Sequence, residues 1–355
     1  MSKTTIAQAI DIAYEQDKNG SERTHLGMSQ IGAECERQIW YSFNKAKTVQ
    51  HSGRLLRLFQ FGHEMEAGFS ELLKSIGFRV YLNNPATGEQ FHVQDPDNKF
   101  FSGSLDSVAV SPSDVEFDGV KPDTAYLVDY KTANKSSFNQ FVKKGLFDWN
   151  IKYYLQLICY MGFSDQLGKK PVRDAMIFVF NKDNHEIATE TIPFNQELFD
   201  AMRARALMIV ESENPPVRIS DDQDNFKCKF CDYKEICHGE ELAEPSCRLC
   251  GFCQKKAAKG ERCEKGYKLI PCAEHIYNPN VFEDDFIPIQ YHMDEGAMEY
   301  DSIVNSPARN KDKFGDKPVL TSKEIYELYL KNDDKELIDT ILEFAGKFDA
   351  RVDWL

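Results

Sequence analysis

Apolar residues in the first part of the chain recur every three to four positions, which is the period of an α-helix. This spacing predicts one helix over residues 6–14, a second from Ser29 through Cys35 to Ile39, and a third over residues 61–76. Cys35 is expected on the apolar side of the second helix.

The third predicted helix has two different faces. Its apolar stripe consists of Phe61, Met65, Phe69, Leu72 and Ile76. A second face carries His63, Glu66 and Ser70, whose spacing aligns them along the helix. The pattern therefore predicts that one face packs against a core while the other is available for chemistry.

The period of the pattern then shortens to two, which is typical of β-strands. Strands are predicted over residues 79–82, 91–94, 101–110 and 125–131, joined as a meander by turns rich in Pro, Asn, Asp and Gly. The pattern next predicts a helix, two strands and a long helix, over residues 149–163, 175–180, 186–192 and 196–210. This order of elements indicates an α/β fold.

Composition changes along the 355 residues, which are enough for about two ordinary domains. Residues 247–272 contain seven Lys and Arg against two Asp and Glu, whereas residues 273–355 contain nine against nineteen. The net charge of −14 therefore does not exclude a nucleic acid as partner, because binding depends on the local potential.

These shifts divide the chain into three segments. They are a first domain over residues 1–240, a cysteine- and lysine-rich module over residues 241–279, and a small acidic α+β domain over residues 280–355. In the last segment, helices are predicted over residues 322–330 and 334–344, after an irregular acidic stretch.

The sequence shows no feature of a membrane or secreted protein. No apolar run approaches the ~20 residues that cross a bilayer, and the first residues lack the pattern of a secretory signal. We therefore expect a cytoplasmic protein with no membrane partner. In that reducing compartment, ten cysteines indicate metal binding rather than disulfides, with Cys159 expected as a core thiol on the apolar side of its helix.

A carboxylate and an ammonium group share one face of the fourth predicted strand. Asp129 and Lys131 are two residues apart, so their side chains project to the same side. Asp106 lies on a neighbouring predicted strand, and His63 offers an imidazole that would converge with them. One histidine and two carboxylates suit Mg²⁺ or Mn²⁺, with Lys131 orienting a water or balancing phosphate charge. The sequence thus predicts metal-dependent hydrolysis of a phosphodiester.

Four motifs follow one another in order: Gly62-His63-x-x-Glu66, Gly103-x-x-Asp106, Asp129-x-Lys131-Thr132 and Gln156-x-x-x-Tyr160. Together they resemble the motifs of PD-(D/E)XK nucleases of the RecB and AddB type, over residues 21–237. The resemblance implies a core in which a mixed central sheet is flanked by helices. It also implies the following roles: metal ligands at His63, Asp106 and Asp129, catalytic roles for Lys131 and Glu66, and contacts with DNA by Gln156 and Tyr160.

The same resemblance implies a metal-dependent DNA exonuclease that hydrolyses phosphodiester bonds from DNA ends, in recombination, repair or phage DNA metabolism. The implied setting is a prokaryotic or phage-infected cell. The chain has no phosphate-binding loop of a helicase motor. A helicase, a single-strand annealing protein or a single-strand-binding protein is therefore an expected partner besides DNA. The alternatives are a non-catalytic DNA-binding or scaffolding protein, a structure-specific endonuclease, and a CRISPR-adaptation nuclease.

A first group of cysteines spans the predicted nuclease domain. Cys228-x2-Cys231-x5-Cys237 provides three thiolates, and Cys35 is the expected fourth. Four thiolates suit an iron–sulfur cluster or Zn²⁺ equally well. The division into one early and three late cysteines resembles AddB and the iron–sulfur nucleases of CRISPR adaptation, which implies a 4Fe–4S cluster that staples the ends of the domain together.

A second group of candidate ligands consists of Cys247, Cys250, Cys263, Cys272 and His275. It resembles a zinc ribbon, and we expect four of these five residues to bind Zn²⁺, with Cys253 as the spare thiol. Six basic residues from Lys255 to Lys268 are expected to meet phosphate groups.

Overall fold

The computed structural model describes residues 4–18, 23–238, 241–266, 272, 275–278, 281, 286–292, 297–303, 319–320 and 339. The chain divides into two compact units, Met1–Glu34 with Val49–Val210, and Cys35–Thr48 with Glu211–Leu355. The division into three segments stays a prediction. Among the described residues, no helix is both long and apolar enough to cross a bilayer.

The elements are numbered in chain order. The described helices are α1 Ile6–Lys18, α2 Glu36–Asn44, α3 Gly53–Ser75, α4 Lys135–Trp149, α5 Ile151–Gly162, α6 Gln196–Glu211 and α7 Lys234–Cys237. The described strands are β1 Leu26–Gly27, β2 Arg79–Tyr81, β3 His92–Gln94, β4 Phe101–Ser104, β5 Ser107–Val110, β6 Ala125–Ala133, β7 Asp174–Asn181, β8 Ile187–Pro193, β9 Cys253–Lys256, β10 Gly260–Cys263, β11 Phe286–His292, β12 Ala297–Ile303 and β13 Val319–Leu320.

The first unit is built on a five-stranded sheet in the order β2-β5-β6-β7-β8. β6 and β7 are parallel, whereas the other neighbouring strands are antiparallel. Parallel neighbours need a long crossover, and α4 and α5 provide it between β6 and β7. This mixed sheet flanked by helices confirms the predicted α/β fold.

The two faces of β6 have different surroundings. Tyr126, Val128 and Tyr130 join a buried cluster that includes Phe69 and Leu73 of α3. Because side chains alternate along a strand, Asp129 and Lys131 project to the opposite face. The apolar cluster thus fixes β6 from one side and leaves its other side for polar groups.

Two sequence predictions about strands are wrong. Residues 101–110 form β4 and β5, which belong to different sheets, rather than one strand of a meander. β4 pairs with β1 and β3, and the chain changes direction at Leu105, whose N–H donates to the carbonyl of Phe91. The predicted irregular stretch of the acidic segment contains the antiparallel sheet β11-β12-β13. The helices predicted over residues 322–330 and 334–344 lie outside the described residues, residue 339 excepted.

Helix predictions need three corrections. The second helix begins at Glu36 instead of Ser29, so Cys35 is its extended N-cap residue rather than part of its apolar face. The predicted apolar stripe of α3 is partly exposed, since Phe61, Leu72 and Ile76 face solvent and Ser70 is buried. The pattern also missed most of α4, which is interrupted at Gly145.

Candidate active site

Strands β5 and β6 bring two aspartates and a lysine together in the first unit. Ser107 pairs with Val128, so the preceding Asp106 lies beside Asp129. The N–H of Tyr130 donates to Asp106 Oδ2 over 2.9 Å. Lys131 Nζ lies 2.6 Å from Asp129 Oδ2. The two residues predicted to share one face thus form an ion pair at that face.

Burial dominates the electrostatics of this cluster. It raises the pKa of Asp129 to about 6. The nearby Lys131 ammonium lowers this pKa, and the Asp106 carboxylate raises it. Burial also raises the pKa of Asp106, which Lys131 partly offsets. Burial lowers the pKa of Lys131, but Asp129 and Asp106 outweigh it and hold that pKa above its ordinary value. Lys131 is therefore kept as an ammonium ion by two carboxylates that are themselves largely removed from solvent.

His63 and Glu66 approach the cluster from α3. His63 Nδ1 lies 3.0 Å from Glu66 Oε1, and the histidine side chain is 75% exposed. Both residues contribute to the field at Asp106, His63 lowering and Glu66 raising its pKa. A carboxylate that accepts a hydrogen bond from Nδ1–H leaves the Nε2 lone pair available for a ligand.

Gln156 and Tyr160 lie inside the protein rather than on a solvent-facing edge. Both are buried on α5. Gln156 Nε2 donates to the hydroxyl of Tyr160 over 2.9 Å and lies 3.5 Å from Asp129 Oδ1. The Tyr160 hydroxyl donates to the carbonyl of Ser104 over 2.7 Å. The pair therefore connects α5 with β4 and β6, and its predicted contact with DNA stays a prediction.

The carboxylate pair provides the chemistry that a hard divalent cation needs. Asp129 Oδ2 is buried and accepts no hydrogen bond apart from its ion pair with Lys131. Two desolvated neighbouring carboxylates repel each other, and a cation that binds oxygen would relieve that repulsion. In the described part of the chain, no three His, Cys, Asp or Glu side chains are yet arranged closely enough to hold a metal. The donors thus fit Mg²⁺ or Mn²⁺ by chemistry, and the predicted triad with His63 stays a prediction.

The first cysteine group gathers around one cavity of the second unit. Cys35, Cys228, Cys231 and Cys237 all line it. Burial raises the pKa of Cys231 to about 11, to which Cys35 and Cys237 contribute. Thiolates that lie close together repel one another, and a metal cation bound by all of them would offset this repulsion. The structure thus brings together the four predicted ligands, although their sulfurs do not form a ready coordination shell.

The second cysteine group surrounds the β9–β10 hairpin. Burial raises the pKa of Cys247 to about 11, with further contributions from Cys250, Cys272 and Cys263. His275 is 1% exposed, and its Nε2 lies 3.0 Å from the Ser246 carbonyl. Its Nδ1 is buried without a hydrogen-bond partner. The thiols of Cys250, Cys263 and Cys272 thus act electrostatically on that of Cys247, and His275 has one ring nitrogen without a hydrogen-bond partner. As in the first group, the described side chains are not arranged closely enough to hold a metal.

One lysine of the cysteine- and lysine-rich module points into the protein, contrary to the prediction that it meets phosphate. Lys255 Nζ donates to Asn44 Oδ1 and lies 5.7 Å from the centre of the Trp40 ring. Burial lowers the pKa of Lys255 to about 8. Lys268 lies outside the described residues, and the exposed Lys256 and Lys259 remain candidates for phosphate contacts.

Comparisons with known proteins place these observations in a family. A family profile of the PD-(D/E)XK nuclease superfamily matches residues 34–238. A search of curated proteins found no matching relative.

Several solved structures are similar. An alkaline exonuclease from Laribacter hongkongensis is 12% identical with a TM-score of 0.38, over 55% of this chain and 90% of that one. The shutoff and exonuclease protein of Kaposi's sarcoma-associated herpesvirus is 10% identical with a TM-score of 0.31, over 56% of this chain and 70% of that one. A phage-related exonuclease from Haemophilus somnus is 17% identical with a TM-score of 0.29, over 42% of this chain and 68% of that one.

Proposed function

Because the chain belongs to the PD-(D/E)XK nuclease superfamily, we propose that it is a metal-dependent DNA exonuclease that hydrolyses phosphodiester bonds from DNA ends. The observation that carries this proposal is the buried cluster of Asp106, Asp129 and Lys131 on adjacent strands. Its restriction to DNA ends is supported by the resemblance of the motifs to nucleases of the RecB and AddB type. We further propose that it acts in the cytoplasm, in recombination, repair or phage DNA metabolism.

The charge state of Lys131 defines its part in the reaction. Two carboxylates keep its side chain protonated, so it acts as a hydrogen-bond donor and a positive charge rather than as a base. Hydrolysis adds negative charge to the phosphate oxygens in the transition state. The Lys131 side chain is 21% exposed, so its ammonium group can contact the substrate while the protein keeps most of the water away. Lys131 therefore stabilises the developing charge and orients the attacking water.

The remaining polar residues hold the cation site. Asp106 and Asp129, with Nε2 of His63, would bind Mg²⁺ or Mn²⁺, while Glu66 fixes the imidazole ring through Nδ1. The bound ion would polarise the scissile phosphate and lower the pKa of a water. Gln156 and Tyr160 keep Asp129 and β4 in place, so that the carboxylates meet the ion in a fixed orientation.

Gly103 is needed because Tyr160 occupies the space of a side chain. An added Cβ would lie 2.6 Å from Tyr160 Cε1, and hydrogen bonds prevent that ring from moving away. We expect Gly103→Ala to reduce cleavage at least tenfold and to destabilise the fold by about 2 kcal/mol, as overpacking does. Thermal melts and cleavage of linear DNA measure the two effects.

Gly62→Ala is the matched control for this variant. At Gly62 the nearest atom to an added Cβ would be Thr132 Oγ1, at 3.9 Å, which is ordinary contact. We expect unchanged cleavage and a stability gain of up to about 1 kcal/mol, because alanine favours a helix. Equal losses in the two variants would contradict the bracing role of Tyr160.

We propose structural metal sites for the two cysteine groups of the second unit. Cys35, Cys228, Cys231 and Cys237 would hold a 4Fe–4S cluster, with Zn²⁺ as the alternative at that site. Zn²⁺ would be held by four of Cys247, Cys250, Cys263, Cys272 and His275, since the thiols of three of these cysteines act electrostatically on that of Cys247. Cys253 remains the spare thiol. Metal analysis of anaerobically purified protein tests both assignments.

Cleavage of linear and covalently closed circular DNA tests the function. With Mg²⁺ or Mn²⁺, we expect end-labelled linear DNA to be shortened from its ends while circles survive. Cut circles would identify an endonuclease instead. DNA binding without any cleavage, by protein with filled metal sites, would favour the non-catalytic alternative. The chain carries no motor motif, so a helicase, a single-strand annealing protein or a single-strand-binding protein remains a proposed partner.

A further inference from the structure

A chain of aromatic rings leads from the surface of α4 to the catalytic lysine. Trp149 and Tyr153 are in contact, with ring centres 5.7 Å apart. Phe141 supports Trp149 from within at 5.2 Å, and Trp149 Nε1 donates to Ser137 Oγ. Lys131 Nζ lies 4.9 Å from the centre of the Tyr153 ring. Trp149 and Tyr153 are half-buried, so each ring is held by the protein and still accessible.

The fold fixes these rings in position. Gly145 interrupts α4 with a φ of 74°, which turns the chain before Trp149. Glu190 holds this turn, since its Oε2 accepts from Leu146 N–H over 2.7 Å. Asn150 then caps α5 and sets Tyr153 in the first turn of that helix. These hydrogen bonds hold the backbone on both sides of Trp149 before any ligand arrives, which reduces the entropy lost on binding.

The two helices that carry the rings are basic, although the whole chain is acidic. Residues 135–162 contain four lysines and one aspartate. All four lysines, Lys135, Lys143, Lys144 and Lys152, are exposed. Lysines that attract phosphates, combined with accessible aromatic rings, are the combination that binds unpaired nucleotides.

We propose that Trp149 and Tyr153 form a stacking platform for an unpaired base next to the phosphate held at Lys131. This proposal rests on the proposed nuclease function. The platform would hold the end of the strand in a fixed register relative to the cluster of Asp106, Asp129 and Lys131. Its ligand is thus DNA with an unpaired end. Phe147, whose ring contacts Tyr154 rather than Tyr153, is not part of the platform.

Binding of single-stranded oligonucleotides without added Mg²⁺ or Mn²⁺ tests the platform without cleavage, and it avoids a chelator that would remove the proposed structural Zn²⁺. The probes are an oligonucleotide with normal bases and the same strand with abasic sites at its three terminal positions. We expect the wild type to bind the normal strand about tenfold more tightly, the size of one stacking contact. Trp149→Leu and Tyr153→Leu are expected to lose this preference while binding the abasic strand as the wild type does. Trp149→Phe and Tyr153→Phe should retain most of it.

Phe147→Leu is the matched control, because it removes a ring that is 54% exposed from the same pair of helices. It is expected to leave the preference unchanged. A wild type with no preference for bases, or with no binding, would overturn the platform, as would equal losses on both strands. Cleavage of linear DNA is measured separately in Mg²⁺. A wild type that does not cleave DNA but still prefers the normal strand to the abasic strand would contradict the nuclease proposal and support the platform. A wild type that cleaves DNA without this preference would support the nuclease proposal and contradict the platform.

Discussion

Lys131→Met is expected to reduce the rate of DNA cleavage by about 10³-fold, the effect of removing one charged group that stabilises a transition state. Methionine keeps the length of the side chain and removes its charge. The lysine ammonium lies 2.6 Å from Asp129 Oδ2, so the variant leaves this carboxylate buried without its counter-charge. The pKa of Asp129, already about 6, should rise further because Lys131 holds it down. A neutral Asp129 is a weaker ligand for a cation, which adds to the loss.

Lys121→Met is the matched control for this variant. Lys121 pairs with Asp174 over 2.6 Å, as Lys131 does with Asp129, but its side chain is 63% exposed. We expect nearly unchanged cleavage, because an exposed ion pair contributes little to stability and lies outside the cluster. Circular dichroism, and binding to DNA without added Mg²⁺ or Mn²⁺, separate lost chemistry from lost folding. A folded Lys131→Met variant that cleaves as fast as the wild type would refute the assignment of Lys131.

Cys228→Ser is expected to remove the cluster or metal ion from the first cysteine group and to unfold its surroundings. Cys228 lines the same cavity as Cys35, Cys231 and Cys237. Metal binding to a structural site contributes about 10 kcal/mol or more. This equals the whole free energy of unfolding of many proteins, about 5–15 kcal/mol. The measurements are iron, sulfide and zinc content, together with thermal unfolding.

Cys35→Ser should have the same effect, because the early cysteine is proposed to complete the tetrad. Cys253→Ser is the control, since it replaces a thiol of the same unit that belongs to neither proposed set. It is expected to keep the metal content of the wild type. Iron and sulfide at the wild-type level in Cys228→Ser would contradict the assignment, whereas zinc that remains is expected from the second cysteine group. Zinc in place of iron and sulfide in the wild type would decide for the alternative ion, and Cys228→Ser would then be expected to hold one zinc ion fewer than the wild type.

The local pattern of apolar and polar residues was sufficient to predict many of the helices and strands of the first unit. Alternation placed β6 and put Asp129 and Lys131 on one face, and a helical period placed α5 and α6. The spacing of apolar residues missed α4, because Gly145 interrupts its period. Trp149 begins the helix predicted over residues 149–163, but no motif marked it as a candidate for the proposed stacking platform. Its spacing of four residues from Tyr153, and of seven from Gln156, is a signal that could have found it.

What the sequence alone determined was most of the order of helices and strands in the first unit, the faces of β6 and the types of residue that gather at the site. These follow from backbone period and side-chain direction, which depend only on neighbours along the chain. The tertiary structure decided which residues are buried and which strands pair. It placed residues 101–104 and 107–110 in different sheets, buried Gln156 and Tyr160 behind Asp129, and turned Lys255 toward Asn44. Such outcomes depend on contacts between distant segments, whose free energies a local pattern does not contain.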